Sequence, residues 1–429
     1  MKLKAIMVGC GDRASVYANF AVNEFKEVEI VAAVDPNIER RNYVQQHFNV
    51  PLERCYSDIK DVLKQGKIAD FVINGTMDSL HIETSIPFLE QGYDMLLEKP
   101  ITNNEEDLLK LAKVAKENHC KLMICHVLRF SPFYHKIKKI LLSGEIGDVI
   151  NINTSERVGA YHSSVSYLRG KWNSEKTCGS SLLLAKCCHD IDLIAWFNNN
   201  TRPLMTFSEG KRDYFNQENA PKGCGNRCLV DCPKEIKDKC LYDAEYMYIK
   251  NDLLPWYPWQ CTGKNYQDLT VEEKIKSLKT DNPHGRCIFK CGGDLLNHQN
   301  VLINFANGSS ACHTLVLGAM KADRTIYIIG TQGELEGSVS SGKLFIRTFN
   351  KETAGYNERV INFNDTQGET GGHFGGDKGL VKDLLSYLKD DECSVSTTVI
   401  EDSLISHLII YDANESIKKG EPVPFNHKI

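Results

Sequence analysis

The sequence predicts an α/β protein of two domains: a doubly wound parallel sheet, then an α/β unit on an open, mostly antiparallel sheet. Three observations predict it. Short apolar runs alternate with amphipathic helical stretches over the first 125 residues, the signature of a doubly wound unit. From about residue 147, strand-like stretches follow one another with few helices between them. At 429 residues the chain also exceeds one ordinary domain. The boundaries read as 1–125 and 126–429, with an irregular stretch rich in Cys, Pro, Tyr and Lys inserted at about 210–298.

Taken in order, Leu3–Val8 is apolar and suits a central parallel strand, and residues 14–25 place Val16, Phe20 and Val22 among helix formers. Between them lies Gly9-Cys10-Gly11-Asp12-Arg13-Ala14, a G-x-G-x-x-A turn of the Rossmann type. Its glycines let the backbone turn tightly and approach a pyrophosphate, and the helix N-terminus offers NH groups to it. A second strand, Val28–Val34, ends at Asp35, 21 residues beyond Ala14. A carboxylate there accepts hydrogen bonds from an adenosine ribose and favours NAD, although Arg40 and Arg41 leave NADP open. Further buried strands are expected at 69–76, Asp94–Leu97 and 121–126. Ligands of such sheets bind beyond the carboxyl ends of the strands. That draws attention to Thr76, Met77, Glu98, Lys99 and Arg129, and to His81 as a residue on the cofactor side. In the second unit, strands are expected at 149–157, 301–305, 311–318 and 325–330, and helices at Leu182–Phe197, 378–388 and 400–418.

The net charge of -5 and the lack of a basic block argue against nucleic acid as the main partner. No stretch has the length of a transmembrane helix, and the start Met1-Lys2-Leu3-Lys4 runs into a strand without a signal-peptide core. A soluble, cytoplasmic protein is expected.

The G-x-G-x-x-A turn, Glu98-Lys99-Pro100 at a strand end, Gly144-Glu145-Ile146-Gly147 and His189-Asp190-Ile191-Asp192 together resemble the Gfo/Idh/MocA oxidoreductases. The segments GTQGELEG at 330–337 and GGHFGGDKGL at 371–380 are similar to that family too. The resemblance implies a nicotinamide cofactor, a carbohydrate-like substrate such as a sugar or cyclitol, and a homo-oligomer, dimer or tetramer, formed through the open sheet. It also implies that Lys99 orients the substrate hydroxyl within a proton relay, that His189 is the acid/base, and that Arg129 lies near cofactor or substrate.

Oxidising a secondary alcohol requires a group that takes the hydroxyl proton while hydride leaves, and Lys99 and His189 suit that work. His189 and Asp192 are three apart on one helical face, as are Lys186 and His189. Family members that oxidise cyclitols commonly carry Asp four residues before this His, where Ala185 stands here. Lys186 is expected to replace that acid, to depress the His189 pKa and to bind an anionic or hydroxyl-rich substrate. The altered position leaves an alternative open, a redox-neutral glycoside-cleaving enzyme with tightly bound NAD. Arg169, Trp172 and His298 are candidate substrate-binding residues, with His373 a further candidate for the pocket wall.

The insertion carries Cys224, Cys228, Cys232 and Cys240 at x3, x3 and x7 spacings, with Cys287 and Cys291 about fifty residues on. Thiols so dense in a reducing compartment suggest structural zinc held by Cys228, Cys232, Cys240 and one of Cys224, Cys287 or Cys291. Free or disulfide-forming cysteines and an iron–sulfur cluster remain the alternatives.

Overall fold

A computed structural model describes residues 2–251, 253, 256–264, 266–363 and 372–428. Gly371, in the segment 371–380 noted above, lies outside them. The first unit is built on six strands: β1 (Leu3–Val8), β2 (Val28–Val34), β3 (Cys55–Tyr56), β4 (Phe71–Asn74), β5 (Asp94–Leu97) and β6 (Leu122–Ile124). All pair in parallel, in the order β3-β2-β1-β4-β5-β6. Five of these are the strands expected from the apolar runs. The two-residue β3 was not read from the sequence, because a pair of residues shows no period.

The strand order reverses between β2-β1 and β4, and that switch point opens a crevice at the strand ends. Gly9 sits there at φ +77°, and a Cβ on it would lie 2.6 Å from the Thr76 backbone nitrogen. A Cβ on Gly75 would lie 2.9 Å from Ala14 Cβ, so this glycine admits the first helix, Asp12–Asn19, against the sheet. By contrast, a Cβ on Gly11 would meet only the tip of Arg40, at 4.0 Å. Two glycines therefore close the packing, and the third keeps space open in front of the helix N-terminus.

The second unit holds nine strands: β7 (Val149–Gly159), β8 (Pro203–Lys211), β9 (His298–Phe305), β10 (Ser310–Ala319), β11 (Asp323–Gly330), β12 (Gly333–Ser338), β13 (Lys343–Asn350), β14 (Gly355–Asn362) and β15 (Val423–Pro424). Their order is β14-β13-β12-β11-β7-β10-β9-β8-β15, antiparallel except at β7/β10. The helix Leu182–Phe197 is buried at every position but Lys186, as a helix apolar on all sides must be. It packs between this sheet and the helix Ile400–Lys419.

The insertion joins neighbours: Lys211 pairs with His298 and Gly210 with Gln299, so residues 212–297 are an enlarged β8–β9 connection whose ends are already adjacent. Such a loop is tolerated because lengthening it adds little closure entropy. The helix Gly376–Asp390, expected within the second unit, packs instead on the first. Its Leu380, Val381, Leu384 and Leu385 share a core with Ala5, Met7 and Phe71. Each of these burials is worth on the order of 1.5–3 kcal/mol. Among the described residues, no helix is long and apolar enough to cross a membrane.

Candidate active site

One cleft of about 750 Å³ runs from the strand ends of the first sheet to the helix Leu182–Phe197. At its first end lie Gly9, Gly11, Asp12, Arg13 and Asp35. The Asp35 carboxylate, 3 % exposed, accepts hydrogen bonds from Cys10 N (2.9 Å) and Asn37 N (2.8 Å), and Arg40 Nη1 stands 3.7 Å away. Cys10 contributes through that backbone NH. Its side chain does not reach the cleft, because the thiol turns inward to the Val34 carbonyl. Arg13 crosses the entrance, pairing with Glu98 (3.1 Å) and Asp377 (2.6 Å). These residues fit a dinucleotide: an open cradle at Gly11, a helix N-terminus for its phosphates, and a fixed carboxylate where the ribose hydroxyls would be held.

The middle of the cleft is lined by Thr76, Met77, Glu98 and Lys99. Glu98 accepts from the Tyr17 hydroxyl (2.6 Å) and from the Lys99 backbone NH (2.8 Å), so its two oxygens are engaged on opposite sides. Lys99 Nζ donates to the Ala185 carbonyl at 3.1 Å, one helical turn before His189. Burial pulls the Lys99 pKa down, but nearby Cys188, Glu98 and Asp78 outweigh it and hold the ammonium above the ordinary lysine value. His189 is the converse. Burial, then Lys99, His126, His373 and Arg324, push its pKa well below the usual 6.5, so the imidazole is neutral. Its Nδ1 is buried without a hydrogen-bond partner.

Lys186 also lines the cleft, with Nζ 3.3 Å from Glu156. Contrary to expectation, it is not among the leading causes of the His189 shift. Lys186 acts on His162, which burial already lowers, while Lys99 is the leading cation beside His189. Trp172 and His373 line the cleft as expected.

Four expected site residues lie elsewhere. Arg129 is 1 % exposed and forms a bidentate pair with Asp192, at 2.7 and 2.6 Å, which also takes Asp192 away from His189. Arg169 is buried under the insertion, donating to the Arg286 and Tyr242 carbonyls at 2.7 Å each. His298 faces Asp213 at 3.3 Å at the insertion's stem, beside Lys211, and does not line the cleft. His81 is fully buried between the carbonyls of Pro100 (2.7 Å) and Thr76 (3.2 Å), so it braces the cleft wall from behind. In each case a partner elsewhere in the chain engages the side chain, and nothing in the linear sequence names that partner.

The structure also adds residues that sequence reasoning missed. His162, Tyr167, Arg324, Tyr257 and Gln260 line the substrate end. Tyr167, Trp172 and Tyr257 form a continuous aromatic wall, with ring centroids 6.2 and 6.5 Å apart. The Tyr257–Thr262 turn belongs to the insertion, so that segment closes the cleft. Its only advance signal is the aromatic cluster Trp256-Tyr257-Pro258-Trp259. Arg324 binds both Glu156 (2.6 Å) and Asp190 (3.0 Å). Asp190, Cys187 and His313 also form, among the described residues, the one group with metal-ligand spacing, but Asp190 is held by Arg324.

A parallel sheet with a dinucleotide cradle, joined by a shared cleft to a nine-stranded unit, is an architecture suited to a nicotinamide-dependent oxidoreductase. The model of the oxidoreductase family with an NAD-binding Rossmann fold, GFO_IDH_MocA, matches residues 3–126. That match covers the first unit, and the relatives found over longer stretches of the chain are oxidoreductases as well. It is 24% identical over 335 residues to the putative oxidoreductase YteT of Bacillus subtilis, covering 76% of this chain and 74% of that one. It is 24% identical over 195 residues to an inositol 2-dehydrogenase of Corynebacterium glutamicum, covering 45% of this chain and 53% of the relative. Solved structures agree in fold over nearly whole chains. Levoglucosan dehydrogenase with NADH and levoglucosan has a TM-score of 0.70 at 16% identity, covering 100% of both chains. An Agrobacterium radiobacter oxidoreductase with NAD+, L-tartaric acid and magnesium has 0.68 at 15%, covering 99% of both.

Proposed function

We propose that the protein oxidises a hydroxyl of a sugar, sugar derivative or cyclitol with NAD, and catalyses the reverse reduction. The observation that carries this reading is the convergence of a charged Lys99 and a neutral His189 in one cleft with the Gly9–Arg13 turn. When bound, the nicotinamide supplies the hydride acceptor. His189 takes the hydroxyl proton, since its imidazole is neutral and lines the cleft. Lys99 donates to the hydroxyl oxygen and stabilises the negative charge that develops on it. Lys186 and Arg324, each shared with Glu156, offer donors to further hydroxyls, and the wall of Tyr167, Trp172 and Tyr257 suits the face of a ring. Arg129, Arg169 and His298 are not part of this site. The insertion's cysteines also lie outside the cleft, so a metal there has no part in hydride transfer.

Asp35 supports a preference for NAD, because a 2'-phosphate would have to be placed beside a buried carboxylate. A homo-oligomer through the open sheet completes the reading. The sheet's outer face carries Leu302, Tyr327, Phe345 and Val360 in one cross-strand row, with Cys312, Asn153 and Glu336 standing between them, and Phe349 and Tyr356 flank it, both more than half exposed.

Lys99→Met is expected to remove turnover, by about a thousandfold or more, while leaving NAD affinity within a few-fold. NAD should bind at least about tenfold better than NADP, a difference of ~1.4 kcal/mol. The check is a screen of aldoses, uronic acids, cyclitols and aryl glycosides, read by nicotinamide absorbance and aglycone release, with cofactor affinities measured in parallel. Unaffected turnover, or loss of NAD binding, would remove Lys99 from its role. Aglycone release without net NADH would replace net oxidation by transient oxidation and cleavage.

A further inference from the structure

We propose that the insertion holds a structural zinc ion on the thiolates of Cys228, Cys232, Cys240 and Cys287, in a chamber separate from the cleft. All four thiols, with that of Cys224, border one small chamber walled by Ile236, Ile288 and Phe289, with Asp243 at its edge. They come from two distant stretches of chain that the backbone locks side by side. Cys228 N donates to Gly285 O (3.0 Å), Cys287 N donates to Asn226 O (2.7 Å), and Arg227 and Arg286 form an antiparallel bridge between them. A tight turn brings Cys228 and Cys232 to the same side. The Asp231 carboxylate accepts from Asn226 N (2.9 Å) and Arg227 N (2.8 Å), and a Cβ on Gly225 would lie 2.5 Å from Cys232 N.

The second, independent observation is a charge. Arg169 is 1 % exposed and has no carboxylate partner within ion-pair distance among the described residues. Its guanidinium donates to carbonyls and to the Ser164 and Tyr248 hydroxyls, and Nη2 lies 3.6 Å from Cys228 Sγ. A buried cation without a counter-ion is costly, while Zn²⁺ on four thiolates carries a net charge of -2. The centre therefore supplies the anion that Arg169 lacks. On binding, the four thiols release their protons to solvent and no electron is transferred.

The remaining thiols are sorted by the same geometry. Cys291 does not border the chamber; its Sγ donates to the Leu168 carbonyl at 2.9 Å. Cys224, partly exposed, lies with its sulfur 4.0 Å from that of Cys287 and can donate to that thiolate without binding the ion. No three chamber sulfurs stand within 4.8 Å of one another, whereas Zn–S bonds of about 2.3 Å need closer edges. The thiolates close on the ion by side-chain rotation. Through Arg169 the centre pins the insertion to the 160–172 stretch, so it holds Tyr257 against Trp172 without touching substrate.

The test is metal analysis of the full chain purified under reducing conditions without chelator. About one zinc per chain is expected, with no iron or acid-labile sulfide. Cys228→Ser and Cys287→Ser should lose it, Cys291→Ser and Cys224→Ser should keep it, and stripping the metal should speed proteolysis within 212–297 at least tenfold. If the Ser variants fail to fold, thiol labelling of the wild-type chain decides: four cysteines should become reactive only when zinc is displaced. Absence of metal, iron with sulfide in its place, or equal loss from Cys291→Ser would overturn the assignment.

Discussion

At the residue scale, the site depends on two titratable groups held in opposite states. Lys99 stays charged because Cys188, Glu98 and Asp78 outweigh its burial, and His189 stays neutral because burial and Lys99 both oppose its proton. The pH profile follows with a definite sign. The base must be unprotonated, so kcat/KM for alcohol oxidation should fall only as pH drops through the depressed His189 value, well below 6.5. An acid limb at the ordinary histidine value, read from kcat/KM across pH 4.5–8, would show that His189 is not the base or is solvated during turnover. The motif residues of this site were legible in the sequence because each lies in a local pattern: Gly9 and Gly11 in a turn, Asp35 and Lys99 at the ends of apolar strands, His189 on a helix. Tyr257 and Arg324 carry no such mark. They reach the cleft from 68 residues and 135 residues beyond His189, and only packing brings them there.

At the element scale, the helix Leu182–Phe197 connects the two units. It carries Ala185, Lys186 and His189 toward the cleft and turns Asp192 to Arg129, which follows the last strand of the first sheet. Removing one member of a buried bidentate pair leaves the other charge unpaired, at a cost of about 3–5 kcal/mol. Arg129→Ala should therefore destabilise the protein by about that amount in chemical denaturation while NAD affinity of the folded protein changes little. A large loss of NAD binding without loss of stability would return Arg129 to the cofactor site. The apolar run of this helix identified its limits, but the face that His189 and Asp192 share did not give them a common environment. Residues three apart share a face, yet a buried helix has partners on every side, and the Arg129 guanidinium holds the Asp192 carboxylate.

At the scale of the whole molecule, the two sheets, the cleft between them and the expected antiparallel unit follow the sequence closely, and the open face of the second sheet is the surface proposed above for a second copy. Sedimentation at micromolar concentration should give a dimer or tetramer, and Leu302→Asp with Val360→Asp should shift it toward monomer; a wild-type monomer would exclude this assembly. The sequence by itself determined the strand–helix alternation, the cradle at Gly9–Arg13, the Asp35 and Lys99 positions and the extent of the insertion, because periodicity, turn glycines and strand ends are local properties. Tertiary structure alone decided which arginines face ligand and which face the core, that the helix Gly376–Asp390 returns to the first sheet, and that the insertion both closes the cleft and gathers its thiols in a chamber. An arginine at a strand end or a cysteine in a loop reads the same in the sequence whatever it meets. Its role depends on burial and on a partner distant in the chain, and those exist only once the fold has formed.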